Sequence, residues 1–354
     1  IPSKRISGLE VSVNDFDQDG DLDLFVGGRL SPKKYPYPAS SIILENQSTD
    51  KSVKFIDVTD QRLSALKNIG LVTTSKWIDF DGDSWDDLIV AGEWMSIRFF
   101  KNNSGKNFTE VTDEVFSSNH RGWWYDIEKG DFDNDGDVDL ILGNLGLNYK
   151  YQASEQKPFR IYLNDFDENE TYDIVLSYKD DDTEYPVRGR QCSSQQMPVI
   201  KEKFKDYNTF ASASLEEIYS DKMLEESINY EITSFQSVYL ENKGGAFTAK
   251  PLNYQAQFSS INSIVVKDVD KDGNLDAILG GNLYNAEVET PRNDASYGLW
   301  IKGDGKGGFK SILPRESGLV MRGDIRNMKT IQVGEEVNLL VAKNNGQLQL
   351  IKIN

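Results

Sequence analysis

Apolar residues along this chain come in short bursts of four or five, each directly behind a run of alternating aspartates. The string DFDQDGDLDLFVGG at 15–28 returns as DFDGDSWDDLIVAG at 79–92, DFDNDGDVDLILGN at 131–144 and DVDKDGNLDAILGG at 268–281, with a weaker copy, DFDENETYDIVLSY, at 165–178. Alternating runs such as Leu9 to Val13 precede the copies, so the repeating unit reads as strand, acidic turn, strand. A second element follows at variable distance: IILENQSTDKSVKFIDVT, IRFFKNNSGKNFTEVT, VYLENKGGAFTAKPL and LWIKGDGKGGFKSIL. Each reads as a hairpin. Gly105, Gly244, Gly245, Gly305, Gly307 and Gly308 supply the turns, and Phe55, Phe108, Phe247 and Phe309 open the returning strands.

Two hairpins in series make a four-stranded antiparallel sheet of roughly 45–60 residues, the unit from which propellers are built. The expected fold is therefore all-β, a single β-propeller over residues 1–354. Inner strands start near Leu9, Val72, Tyr125, Phe159, Ile261 and Ile325, which counts six blades; a seventh would have to lie in a long segment. Residues 1–8 are expected to complete the last sheet beside 347–353. Between Gly189 and Asn229 the glycines vanish and SLEEIYSDKMLEESI appears, with Ser214 and Glu217 spaced as a capping box. This predicts a helical insertion at 189–229 within the fourth blade.

Charge narrows the partners. The 39 Lys and Arg stand against 57 Asp and Glu, a net charge of −18 that argues against nucleic acid and favours cations. No apolar run reaches the 18 residues of a membrane-spanning helix, and mean hydropathy is −0.53. Cys192 is the only cysteine, so no internal disulfide forms. Beginning at Ile1 without a signal segment, the chain is expected to be a mature or excised piece, with other domains of a larger surface protein as candidate neighbours.

The aspartate spacing points to calcium. A hard cation that takes six to eight oxygens is served by D-x-D-x-D-G turns, which set alternate carboxylates around one centre. The first loop offers Asp15, Asp17, Asp19 and Asp23, with the main-chain carbonyl of Asp21 between them. In the same frame stand Asp79, Asp81, Asp83 and Asp87 with the Trp85 carbonyl; Asp131, Asp133, Asp135 and Asp139 with Asp137; Asp165, Asp167, Asn169 and Asp173 with Thr171; and Asp268, Asp270, Asp272 and Asp276 with Asn274. Up to five structural Ca2+ ions are expected. Ser84 replaces the usual glycine in the second loop, and Asn169 and Glu170 depart from the pattern in the fourth. No Glu stands twelve positions in, which excludes the helix-loop-helix calcium hand. Affinities of extracellular modules, on the order of 10⁻⁴ to 10⁻³ M, would place the chain outside the cytoplasm.

The copies at 15–28, 131–144 and 268–281 resemble the FG-GAP/VCBS repeat of integrin α-subunit propellers and bacterial surface proteins. The later stretch, from RGRQCSSQQMPVIKEKF through NDASYGLWIKGDGKGGF to LLVAKNNGQLQLIKI, is more narrowly similar to VCBS proteins of Bacteroidota, found with ASPIC/UnbV-type domains. The resemblance implies a calcium-binding propeller in adhesion, scaffolding or glycan handling at a cell surface, associated with a bacterial outer membrane. The literal FG-GAP string is absent.

If calcium occupies one face of a propeller, a ligand is expected on the other. A polar residue recurs just behind each second strand: Arg29, Glu93, Asn144 and Asn282. Trp94 and Tyr284 stand close by, a set suited to a glycan or a protein loop. The rival reading is a polysaccharide lyase or glycoside hydrolase using Glu93 and Glu287. No catalytic residue is assigned. His120 is the sole histidine, which rules out a multi-histidine zinc centre, and no nucleotide loop of the G-x-x-x-x-G-K type occurs.

Overall fold

The computed structural model describes residues 7–117, 120–286 and 290–353. With 42% strand against 14% helix, the chain is all-β in class, as its pattern predicts. It divides into two compact units, one of residues 1–118, 122–150 and 235–354, the other of residues 119–121 and 151–234.

Among the described residues, five antiparallel sheets make up the first unit. The first runs through Ser7–Asn14, Asp23–Leu30, Ile42–Asn46 and Phe55–Asp57, and the second through Leu71–Ile78, Asp87–Ser96, Arg98–Asn102 and Phe108–Glu110. Asp126–Gly130, Asp139–Gly143, Val238–Lys243 and Ala246–Pro251 form the third, and Ile261–Lys267, Asp276–Gly281, Leu299–Gly303 and Phe309–Ile312 the fourth. The last sheet has three described strands, Ile325–Val333, Glu336–Lys343 and Gln349–Lys352.

Side chains alternate across a strand, so a strand that is apolar throughout needs cover on both faces. The second strands meet this need. Leu88 and Val90 pack in the core shared with the first sheet, whereas Ile89 points into the core shared with the third. Leu140 and Leu142 join that same core, while Ile141 turns to the fourth sheet. Ala277 and Leu279 face the third sheet and Ile278 the last. Four apolar seams thus hold the five sheets in series, a propeller-like arrangement.

The second unit has its own sheet, ordered Thr183–Pro186, Asp173–Asp180, Phe159–Asn164 and Ile228–Ile232, with Phe159–Asn164 inside rather than at an edge. Five short helices between Arg190 and Glu225 close its core, where Phe166, Met197, Phe204, Phe210 and Leu215 are buried. The capping box expected at Ser214 and Glu217 is present, with the Glu217 N–H donating to Ser214 Oγ at 3.1 Å and the Ser214 N–H to Glu217 Oε2 at 2.8 Å.

One assignment from the sequence changes. The hairpin Val238–Pro251 was expected to finish the sheet that Phe159 begins. Instead Leu140 pairs with Leu240 and Leu142 with Val238, so the hairpin completes the third sheet after the whole second unit has intervened. The cause is burial: these four side chains share one seam, which sequence order cannot specify. The six inner-strand starts accordingly divide into five sheets in series and one of different strand order. Residues 1–6, expected beside the last strand, lie outside the described residues.

Backbones approach closely where the fourth sheet begins. A Cβ on Gly281 would fall 1.6 Å from the Ser260 carbonyl oxygen, whereas one on Gly189 meets nothing within 4 Å. Gly281→Ala is expected to destabilise the fold by about 1–3 kcal/mol in urea unfolding, and Gly189→Ala to leave it nearly unchanged.

Candidate metal centres

Each acidic loop joins the first and second strands of its sheet and is built around an apolar anchor. In four loops the residue after the first aspartate is buried, Phe16, Phe80, Phe132 and Phe166 being at most 7% exposed, and in the fifth Val269 is half-buried. With that side chain in the core, the aspartates on either side are turned outward into the loop. The first carboxylate then accepts N–H groups four and five residues on, from Asp19 and Gly20 to Asp15 at 3.1 Å each, from Asp135 and Gly136 to Asp131, and from Asp272 and Gly273 to Asp268. The fifth residue accepts from the seventh, as Asp137 N–H donates to Asp135 Oδ1 at 2.9 Å and Thr171 N–H to Asn169 Oδ1 at 2.8 Å.

This winding takes the fourth and sixth residues into left-handed backbone. Asn134 and Gly136 have φ of 60° and 97°, and the second loop keeps the conformation with Gly82 at 77° and Ser84 at 70°. The glycine has moved from the sixth place to the fourth, and the loop form survives. In the fourth loop, Glu168 and Glu170 adopt it at 57° and 68°.

The ninth residue of the frame ties each loop to the rest of its unit. Asp87 Oδ1 accepts the N–H of Asn102 at 2.7 Å and its Oδ2 that of Phe80 at 3.2 Å. Asp139 accepts from Asn242, Phe132 and the Tyr239 hydroxyl, and Asp276 from Gly303 and Val269. Asp23 accepts from Asn46 at 2.8 Å, and Asp173 from Phe166 and the Gln196 amide. Loops of the first unit are also gripped by the following sheet: Asn102 Nδ2 donates to the Phe16 carbonyl at 2.8 Å, Asn242 Nδ2 to that of Phe80 at 3.0 Å, and Gly307 N–H to that of Phe132 at 3.2 Å.

Carboxylates crowd as a result. In each of five groups, oxygens from three aspartates lie within 4.8 Å of one another: Asp15, Asp17 and Asp19; Asp79, Asp81 and Asp87; Asp131, Asp133 and Asp139; Asp165, Asp167 and Asp173; Asp268, Asp270 and Asp276. Asp17 Oδ1, Asp21 Oδ1, Asp23 Oδ2 and Asp167 Oδ1 are buried oxygens with no hydrogen-bond partner. Burial, with the neighbouring carboxylates adding to it, pushes Asp23 and Asp87 up to about 7 and Asp139 up to about 6. An all-oxygen donor set, with orphaned acceptors in the first and fourth loops, fits a hard divalent cation. Two loops hold a lysine against their third and fifth residues: Lys101 pairs with Asp81 and, at 2.9 Å, with Asp83, and Lys302 with Asp270 and, at 2.7 Å, with Asp272. Arg62 touches Asp17 at 3.3 Å in the first loop. Among the described residues no basic side chain pairs with the carboxylates of the 131–139 loop.

Residues expected on a ligand face divide into two sets. Arg29 and Glu93 meet in an ion pair, and Trp94, 4% exposed, donates from Nε1 to the Tyr35 hydroxyl at 2.6 Å. Tyr35, an aromatic of the same candidate face in the sequence, is thus brought to Trp94. Asn144 and Asn282 hold the fold together. Asn144 Oδ1 accepts from the N–H of Trp123 and of Leu145, and Asn282 Nδ2 donates to the carbonyls of Ser296 and Gly323. The Tyr284 ring is covered by the Arg292 guanidinium at 4.6 Å. Glu287 lies outside the described residues.

Residues 79–142, which span the second and third acidic loops, match the family model of the FG-GAP-like repeat. The first unit is thus a propeller-like all-β assembly that carries an FG-GAP-like repeat. Among curated proteins none matches the chain. Solved structures similar to it include BBS1N in complex with ARL6DN, soaked with lead (10% identity, TM-score 0.35, covering 98% of this chain and 80% of that one). Two more are the Vibrio cholerae biofilm matrix protein Bap1 (10%, 0.26, covering 94% and 74%) and a humanized mutant of the Chaetomium thermophilum Polycomb Repressive Complex 2 bound to the inhibitor GSK126 (10%, 0.28, covering 98% and 67%). At such TM-scores these likenesses carry no argument about fold or function.

The raised carboxyls make a pH prediction. A group whose folded pKa is raised binds more protons folded than unfolded, so stability without metal should fall as pH rises through 6 to 7. Saturating calcium should remove that slope, and its binding near pH 6.5 should release protons, read by calorimetry in buffers of different ionisation enthalpy. Removing a neighbouring positive charge should strengthen cation binding: Lys302→Met is expected to tighten calcium at the 268–276 loop several-fold, measured by competition with a chelating dye.

Proposed function

We propose that the whole chain is an FG-GAP/VCBS-type repeat protein that works as a calcium-stabilised, non-enzymatic binding or scaffolding module at a cell surface, taking a glycan or partner protein as ligand. The observation that carries this is the fivefold recurrence of one loop frame, each copy gathering three carboxylates within 4.8 Å. Calcium suits the donor set better than magnesium, because oxygens supplied by a pliable loop meet its higher and less regular coordination number. Asp15, Asp17, Asp19 and Asp23 and their counterparts would hold the ion, with the seventh residue of each frame offering its carbonyl. The bound ion would supply positive charge where the loops have only mutual repulsion and a few side-chain cations.

Several observations favour a binding role. FG-GAP repeats are typically non-enzymatic. Glu93, the candidate acid of a glycosidase reading, is held by Arg29 in an ion pair. A weak-affinity calcium site fills where calcium is abundant, which supports a position outside the cytoplasm, at a bacterial outer-membrane surface in the closer resemblance.

Differential scanning calorimetry in calcium, in magnesium and in a chelator tests the reading. Calcium at 100 times its dissociation constant adds roughly 2.7 kcal/mol per site, so a melting temperature many degrees higher in calcium than in the other two conditions is expected. Coincident melting curves in all three would sink the proposal.

A further inference from the structure

The second unit carries a surface feature that the acidic loops do not use. Strands Asp173–Asp180 and Thr183–Pro186 place Tyr178 directly opposite Tyr185, with ring centroids 6.1 Å apart and planes inclined by 33°. Tyr207, opening the helix Tyr207–Ser212, faces the same cleft of about 290 Å3, together with Arg188 and Arg190. Tyr178 is 44% and Tyr207 60% exposed, so apolar ring surface faces solvent here.

The cleft is held in shape before any ligand arrives. Arg190 Nε donates to the Phe204 carbonyl at 2.5 Å and Nη2 to that of Lys205 at 3.3 Å, which sets the guanidinium 5.1 Å from the Tyr207 ring centre. Arg188 donates to Gln196 Oε1 at 3.0 Å, and the Tyr207 hydroxyl meets Gln191 Oε1 at 3.1 Å. In a chain of net charge −18, the residues lining this cleft include two arginines and no acid. Aromatic faces beside fixed guanidinium groups call for a ligand with flat C–H faces and carboxylates.

We propose that this cleft binds an acidic oligosaccharide, with one or two uronic-acid rings against Tyr178, Tyr185 and Tyr207 and their carboxylates toward Arg188 and Arg190. The size is suitable, since ligand clefts run from about 300 Å3 upward. An extended peptide fits less well: Thr183–Pro186 is an edge strand of only four residues, and Pro186 lacks the N–H that strand addition needs. The inference rests on the chain being a glycan-binding module and deepens it by naming ligand class and place.

Calorimetric titration of the full chain with tetragalacturonate, in calcium and at low salt, tests it. Binding is expected to saturate with a dissociation constant on the order of 10⁻⁵ to 10⁻³ M and to weaken with added salt, while the uncharged tetraose of galactose gives none. The double variant Tyr178→Ala, Tyr207→Ala should lose at least about tenfold in affinity, and Tyr178→Ala alone, checked for fold by circular dichroism, a smaller but measurable part. No saturable binding, equal binding of the uncharged sugar, or variants within about twofold of the parent would overturn the assignment. Uronate binding that survives in both variants and disappears with Asp131→Ala, Asp133→Ala would place the sugar on calcium instead and likewise overturn it. A calcium-dependent melt with no uronate binding rejects the cleft alone; uronate binding with a calcium-independent melt rejects the calcium module alone.

Discussion

A carboxylate buried at the head of a strand must be satisfied, and this chain makes that demand five times. Asp23, Asp87, Asp139, Asp173 and Asp276 each begin the second strand of a sheet and are at most 3% exposed. In four of them the oxygens accept main-chain N–H groups from the third strand, which locks one hairpin of a sheet to the other. The same aspartates close the acidic loops, so the fold cannot place its hairpins without also gathering like charges. Hydrogen bonds satisfy part of each carboxylate; a divalent cation is the natural counterpart for the rest.

A metal bound in these loops would therefore be coupled to sheet packing through short chains of contacts. Phe80 shows the link. Its ring lies in the seam between the second and third sheets, its N–H donates to Asp87, and its carbonyl accepts from Asn242 of the next sheet. A change in charge between Asp79 and Asp87 reaches that seam through one residue. The arrangement recurs at Phe132, whose carbonyl accepts from Gly307. A solenoid-like stack gains most of its stability from contacts between neighbouring repeats, so loops at the seams are where a bound ion has the greatest leverage.

Much of this was legible because it is local. The frame that sets Asp131, Asp133 and Asp139 together spans nine residues, and its turn chemistry is written in the residues themselves. Ser84 shows the tolerance of that code: with Gly82 two places earlier, the left-handed positions are still filled. Pairing across long separations was not legible. Nothing in Val238 or Leu240 states that their partners are Leu142 and Leu140 rather than residues of the sheet just completed. Exposure, too, is set by residues distant in sequence. Trp94 sits where a ligand-facing ring was expected, yet neighbours distant in sequence bury it, among them Trp123 at 5.3 Å. Conversely, the meeting of Tyr178 and Tyr185 depends on the register of a single hairpin, which the alternation of residues does not state.

The central claim is that the five carboxylate groups are cation sites built into the fold. Anomalous diffraction from crystals grown in calcium, collected at a wavelength where calcium scatters anomalously, measures this directly. The account predicts one peak within each of the five aspartate groups, at about 2.3–2.6 Å from carboxylate oxygens. Empty loops with unchanged backbone in saturating calcium would contradict it.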